Sequence, residues 1–223
     1  MYELSLIQVM GNSNASDLHS DNKTIALSSG SLVIALDTLT GQKKYFVGHE
    51  NEVSCIIFSR NPKYMFSADN GFNPSIGLWN IGTGSKVTMQ YFPYKQRQSP
   101  IKSILMKENN IGGTLLVIEN EYKGYRITCW DTAKVLTMHS VSELENIETC
   151  LGIFFLSQNL EFATVEQSCI KIWNYENNIY KNSKKLTFSQ PIVQAIQSPL
   201  TNFIIALNKF GKVVIVNHEV YLK

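Results

Sequence analysis

Three side chains of this 223-residue sequence are of the types that nucleophilic hydrolysis needs: His49, Ser67 and Asp69. A histidine-activated serine attacks an acyl carbon only where an oxyanion hole faces it. Such serines sit on strained turns, as in G-x-S-x-G, and the sequence has no such motif. Ser67 instead closes the apolar-rich run Lys63-Tyr64-Met65-Phe66-Ser67-Ala68, which reads as a structural position. His19, His139 and His218 are scattered without metal-ligand spacing. Cys55, Cys129, Cys150 and Cys169 form no C-x-x-C, and three of them lie in apolar alternating runs. They read as reduced, buried thiols of a cytosolic protein rather than disulfides or zinc ligands. Ile111-Gly112-Gly113-Thr114 reads as a turn between strands, and neither a phosphate-binding loop nor a dinucleotide fingerprint follows any strand. The expectation is therefore no catalytic residue, no metal, no cofactor and no enzymatic activity.

Composition narrows the partners. Hydrophobic residues make up 44% and charged residues 17%, a globular balance. Twenty Lys+Arg against eighteen Asp+Glu leave a formal charge of +2, too little to mark a surface for duplex nucleic acid or an anionic membrane. The apolar runs, such as Leu151–Leu156, fall far short of the roughly 18–20 residues that span a bilayer. Met1-Tyr2-Glu3-Leu4-Ser5-Leu6 lacks the basic start of a secretory signal. A cytoplasmic location is expected.

The elements that carry these residues repeat. Three tryptophans each end a short alternating run: Ser75-Ile76-Gly77-Leu78-Trp79-Asn80, Tyr125-Arg126-Ile127-Thr128-Cys129-Trp130-Asp131 and Cys169-Ile170-Lys171-Ile172-Trp173-Asn174. Leu32–Asp37 and Lys212–Asn217 have the same shape without tryptophan. Leu36, Trp79, Trp130, Trp173 and Val216 are then separated by 43, 51, 43 and 43 residues. The longer interval contains the polar and aromatic stretch Tyr91–Gln98. Upstream of Trp79 lie two further strand-like runs, Glu52–Ser59 and Lys63–Ala68, parted by the turn Arg60-Asn61-Pro62. Thr149–Phe155 and Leu160–Val165 repeat that layout before Trp173, and Ile192–Ile196 and Phe203–Leu207 before Val216. Short strands with frequent turn signals predict an all-β chain. A period of about 40–45 residues is that of one propeller blade of four strands. Dividing the length by the interval gives one domain, residues 1–223, of about five units ending near Asp37, Asn80, Asp131, Asn174 and Asn217.

At these residues the chain resembles the WD-repeat family. The likeness covers nearly the whole length and is strongest in the second unit. There Gly48-His49 precedes the first strand, Ser67 ends the second and Trp79-Asn80 ends the third. The resemblance implies a β-propeller in which His49, Ser67 and Trp79 form a hydrogen-bonded relay, with the turn position near Asn73. The long link Ala68–Ser75 and the opening segment Gly30–Asp37, Gly41–His49 are most similar to cilia- and flagella-associated, microtubule-associated WD-repeat proteins. Such a protein would be a non-enzymatic scaffold in a ciliary or other cytoskeletal assembly, with axonemal or microtubule-associated partners. Two alternatives stand beside it: an adaptor of a ubiquitin-ligase or signalling complex, and, more remotely, a propeller enzyme with a site in its central channel.

The segment between the second and third units is the strongest partner-binding candidate. Tyr91, Phe92 and Tyr94 stand beside Lys95 and Arg97 there, and aromatic and arginine side chains dominate interface energies. Phe72, in the long link, joins them. The ends pose a question of closure. Carrying the second unit's spacing back from Leu36 centres the first unit's first strand near Ser13. Tyr2–Val9 then precedes it. Either about five blades form part of a seven-bladed ring that another chain or a further propeller half completes, or Tyr2–Val9 closes a five-bladed ring. The partial ring is the favoured expectation.

Overall fold

The computed structural model describes residues 16–18, 23–92, 103–108, 113–121, 124–132, 137–145, 150–156, 161–176, 179–198 and 203–217. Every regular element among them is a β-strand. Sheet one comprises β1 (Ser16–Leu18), β2 (Thr24–Ser29), β3 (Leu32–Asp37) and β4 (Lys43–Phe46). Sheet two comprises β5 (Val53–Phe58), β6 (Tyr64–Asp69), β7 (Ser75–Asn80) and β8 (Ser85–Tyr91). Sheet three holds β9 (Ser103–Glu108), β10 (Thr114–Glu121), β11 (Gly124–Asp131) and β12 (Thr137–Glu145). Sheet four holds β13 (Cys150–Phe155), β14 (Phe162–Glu166), β15 (Cys169–Glu176) and β16 (Ile179–Thr187). Sheet five has three described strands, β17 (Ile192–Gln197), β18 (Phe203–Asn208) and β19 (Val213–Asn217). Each sheet is an antiparallel meander whose strands pair in chain order. The architecture is all-β and propeller-like.

The alternation read from the sequence has a direct structural cause. Successive side chains on a strand point to opposite faces. The middle strands carry apolar residues on both faces, so β6, β7 and β14 are buried almost throughout. Sheets therefore stack face to face. One core joins sheets one and two through Ala26, Val33, Phe46, Met65 and Trp79. A second joins sheets two and three around Phe66, Ile76, Leu115 and Trp130. Sheets three and four share Leu116, Ile127, Phe155 and Trp173, and sheets four and five share Val165, Ile172, Ile204 and Val216. Trp79, Trp130, Trp173 and Val216 thus each face the preceding sheet. Among the described residues no such core joins sheet five to sheet one.

Polar ties supplement the packing. The inner strands β1, β5, β9, β13 and β17 neighbour one another in sequence order. Asp17 Oδ2 on β1 accepts from Phe58 N at the end of β5 (2.7 Å), and Glu108 on β9 accepts from Arg60 N (2.6 Å) and Ser59 Oγ (3.2 Å). The same turn of sheet two is gripped by a carboxylate from either side. Gly77 in β7 serves a different need. A Cβ there would meet the Trp79 indole at 2.7 Å, so the ring lies across a position that only glycine leaves open.

The first unit departs from its expected spacing. In register, Ser16 of β1 takes the place of Ile56, three residues later than the expected Ser13. The cause is link length. β6 and β7 are joined by Asn70–Pro74, whereas β2 and β3 are joined by Gly30-Ser31 alone, with Gly30 at φ +59°. An offset measured on the second unit overshoots by that difference. Tyr2–Val9 lies outside the described residues.

Candidate functional site

The site grows from the end of sheet two where β6 runs into its long link. Met65 pairs with Trp79 across β6 and β7, so Ser67, two residues on, points to the same face as the indole. Trp79 Nε1 donates to Ser67 Oγ at 2.6 Å, and His49 Nε2 lies 2.6 Å from the same oxygen. His49 Nδ1 is 3.2 Å from Asp69 Oδ2 and 3.0 Å from Ser75 Oγ. Ser75 donates to Asp69 through both its amide and its hydroxyl, the latter at 3.1 Å. Proton bookkeeping fixes the tautomer. The carboxylate can only accept, so Nδ1 carries the hydrogen. Nε2 then accepts from the Ser67 hydroxyl. One directional chain runs Trp79, Ser67, His49, Asp69.

This assignment corrects one residue of the relay. Asn73 is not in it. The side chain of Asn73 lies on the exposed link, and its backbone carbonyl accepts from Asn51 Nδ2 at 3.4 Å. Asp69 stands beside His49 instead. A five-residue link leaves Asp69 as the last residue of β6, where its carboxylate folds back over the start of β7. His49, Ser67 and Asp69 are thus together, but sealed. The His49 side chain is 0% exposed and that of Asp69 1%, and Ser67 is fully buried. Ser67 Oγ is already bonded to an indole and an imidazole, so no acyl group reaches it. The cluster holds the links above it.

Those links carry the exposed groups. Asn51 N donates to Asp69 Oδ2 at 3.3 Å, tying the β4–β5 link to the relay. Tyr91 Oη donates to Glu50 Oε1 at 3.0 Å, and this bond to a carboxylate raises the phenol above its ordinary pKa. Val47, Phe72 and Tyr91 are 75%, 61% and 44% exposed. Phe92 is not part of this surface. It is 4% exposed and packs edge-on against Trp130 at 5.4 Å, inside the core between sheets two and three. The aromatic pair Tyr91-Phe92 divides because consecutive residues point opposite ways. Tyr94, Lys95 and Arg97 lie outside the described residues.

The other sheets repeat the site's frame with different chemistry. Trp173 pairs with Phe162, and Trp173 Nε1 donates to Thr164 Oγ1 at 2.9 Å, so Thr164 does for sheet four what Ser67 does for sheet two. In sheet three that position is Val117, and Trp130 Nε1 turns to Thr128 Oγ1 on its own strand at 2.9 Å. The place of Asp69, four residues beyond the residue facing the tryptophan, is filled by Glu119 and Glu166. Both are buried. Glu119 lies 3.8 Å from Arg126 Nη1, and Glu166 is 2.8 Å from Lys171 Nζ. Sheet five has Asn208 there, whose Oδ1 accepts from Phe210 N and Lys212 N at 3.0 and 2.9 Å. The acidic periodicity is present in the sequence. What hid it is that the partner changes from histidine to arginine to lysine.

Among the described residues no three His, Cys, Asp or Glu side chains gather where they could hold a metal, and no helix is long and apolar enough to cross a membrane. His139 falls on β12, while His19 and His218 lie outside the described residues. Gly113 sits in a turn at φ +82°. All four described cysteines are free thiols.

No family model matches the sequence, and no curated protein matches it. Solved structures do, through 1049 chains, so the fold is too widely shared to carry a function by itself. One of them is the Kuenenia stuttgartiensis hydrazine synthase. It superposes with a TM-score of 0.69 at 12% identity over 92% of this chain and 71% of that one. At that identity the likeness is one of fold alone. It nonetheless overturns one expectation. The chain was expected not to be an enzyme, and a protein of this architecture is one, so a repeat of sheets without a familiar catalytic motif is no ground for excluding activity.

Proposed function

We propose that this chain is a WD-repeat β-propeller of about five blades that serves as an interaction scaffold for other proteins. The observation that carries the reading is the coupling of a buried relay to an exposed surface. His49, Ser67, Asp69 and Trp79 fix two links and a strand end, and these hold Val47, Phe72 and Tyr91 out to solvent. Preordered aromatic groups contribute to binding because little conformational entropy is lost when a partner docks. In the sequence Tyr94, Lys95 and Arg97 follow Tyr91 closely and supply further aromatic and cationic groups for such a role. The long link and the opening unit, which resemble those of cilia-associated WD-repeat proteins, support a microtubule-based setting in the cytoplasm. Affinity capture with the wild-type chain and with a Val47→Ser/Phe72→Ala/Tyr91→Ala variant tests this. A protein set lost from the variant, with thermal unfolding unchanged, is the expected result. Axonemal or tubulin-binding proteins in that set support the ciliary reading, and ubiquitin-ligase subunits support the adaptor reading instead. Identical capture by both chains rejects this surface as the binding site.

A further inference from the structure

The hydrogen-bond register of sheet five leaves a self-complementary edge. Asn208 N donates to Lys212 O, and Ala206 and Ile204 face Val214 and Val216. In an antiparallel ladder, bonded and non-bonded pairs alternate. Residues 212, 214 and 216 therefore bond inward to β18. The N–H and C=O groups of Val213, Ile215 and Asn217 point away from it. Among the described residues no strand pairs with them, whereas β3, β7, β11 and β15 each have a fourth strand at this place. The side chains agree. Val213 and Ile215 are 60% and 64% exposed, and Ile196, in the same cross-strand row as Ile205 and Ile215, is 54% exposed. The faces of β14 and β15 are buried by contrast. An open, apolar edge strand is a template for another strand.

We propose that the occupant is β19 of a second copy, paired antiparallel about a two-fold axis at Ile215. This register bonds Ile215 to its own mate and Val213 to Asn217 in both directions, so every outward group finds a partner. An interface in which one patch meets itself is how most symmetric dimers form. Charge permits it as well. Lys212 is the charged residue next to the edge, and it lies three residues from the axis, about 10 Å along the strand. Its mate is then about 20 Å away, beyond the roughly 8 Å over which charges act in physiological salt. Neither Lys212 nor Lys209 makes an ion pair among the described residues, so no existing bridge has to break. The exposed apolar row of Ile196 and Ile215 beside the ladder would be covered in part by its mate.

The test uses the full chain in sedimentation equilibrium at micromolar concentrations. Wild type is expected at twice the chain mass. Ile215→Lys and Ile215→Glu are each expected to halve that mass, because two like charges would face each other at the axis. Both substitutions fall on an exposed position, and circular dichroism checks that the fold is kept. An equimolar mixture of the two variants is expected to return to the dimer mass, since only self-pairing at Ile215 sets lysine against glutamate. A monomeric wild type overturns the proposal and assigns the edge to the chain's own residues or to a foreign strand. A dimer that survives both substitutions, or variants that fail to recombine, overturns it too.

Discussion

Asp69 and Glu166 occupy one and the same position of their sheets, each four residues beyond the residue that faces a tryptophan, yet they are neutralised in different ways. Asp69 accepts from Ser75 and stands against His49, whereas Glu166 is held by Lys171. A frame that fixes a buried carboxylate but not its counterpart is stable so long as each acid has some donor. Loss of the donor leaves a charge in an apolar core.

Lys171→Met alone should therefore destabilise the fold by about 3–5 kcal/mol, since Glu166 is left buried without its cation. Glu166→Gln/Lys171→Met together should recover most of that loss. Urea unfolding of the single and double variants measures the difference. Equal destabilisation by both variants would show that the pair is not coupled.

Ser67 and Thr164 stand at equivalent places but carry unequal duties. Ser67 serves both Trp79 and His49, while Thr164 serves Trp173 alone among the bonds that fix the relay position. Each buried group left unsatisfied costs about 1–3 kcal/mol. Ser67→Ala is thus expected to cost roughly twice as much as Thr164→Val, read from the shift in denaturation midpoint.

Asp69→Asn replaces one of two accepting oxygens with an NH2 donor, which must oppose either the Ser75 amide or the donors gathered at Oδ2, and about 1–3 kcal/mol should go with it. Asn73→Ala, on the exposed link, should change stability by less than about 0.5 kcal/mol. Thermal melts of the two variants side by side decide which residue belongs to the relay.

The thiols of Cys55 and Cys150 are pushed up to about 12 by burial. In the folded state they hold their protons more tightly than in the unfolded chain. Their contribution to stability is complete below about pH 9 and is lost as pH rises toward 12, at about 1.4 kcal/mol per pH unit for each thiol. A Cys55→Ala/Cys150→Ala variant should show a correspondingly shallower loss of stability above pH 9. At pH 8 the native thiols should react with a disulfide reagent more slowly than in urea, because the thiolate reacts and desolvation suppresses it.

Much of this architecture is legible in the sequence, for a physical reason. The tryptophan-bearing strands alternate because both faces are set by neighbouring sheets, so Trp79, Trp130, Trp173 and Val216 mark the same register. The relay was three-quarters legible: His49, Ser67 and Trp79 sit on strands or at their entry. The fourth position reads as Asn73 rather than Asp69 because a turn position moves with link length, and the link here is longer than a tight hairpin. Phe92 shows the opposite difficulty. Beside Tyr91 and a run of polar residues it reads as exposed, and only the position of Trp130 in the next sheet shows that it is core. The grip of Asp17 and Glu108 on the end of β5 joins residues more than forty positions apart, which no local pattern announces.

Among the described residues five sheets share four cores, and this arithmetic governs how the molecule comes apart. Among the described residues each inner sheet is clamped from two sides and the first and fifth sheets from one, so these cores pass cohesion along a line. Amide protons of sheets two, three and four should exchange last, and those of sheets one and five first, with opening that starts at the ends and travels inward. A cavity cut at Trp130, midway along that line, would then divide the chain into two short stacks, each with a freshly bared face. The middle tryptophan is in that sense the keystone of an arch, and its removal should convert a single melting transition into two.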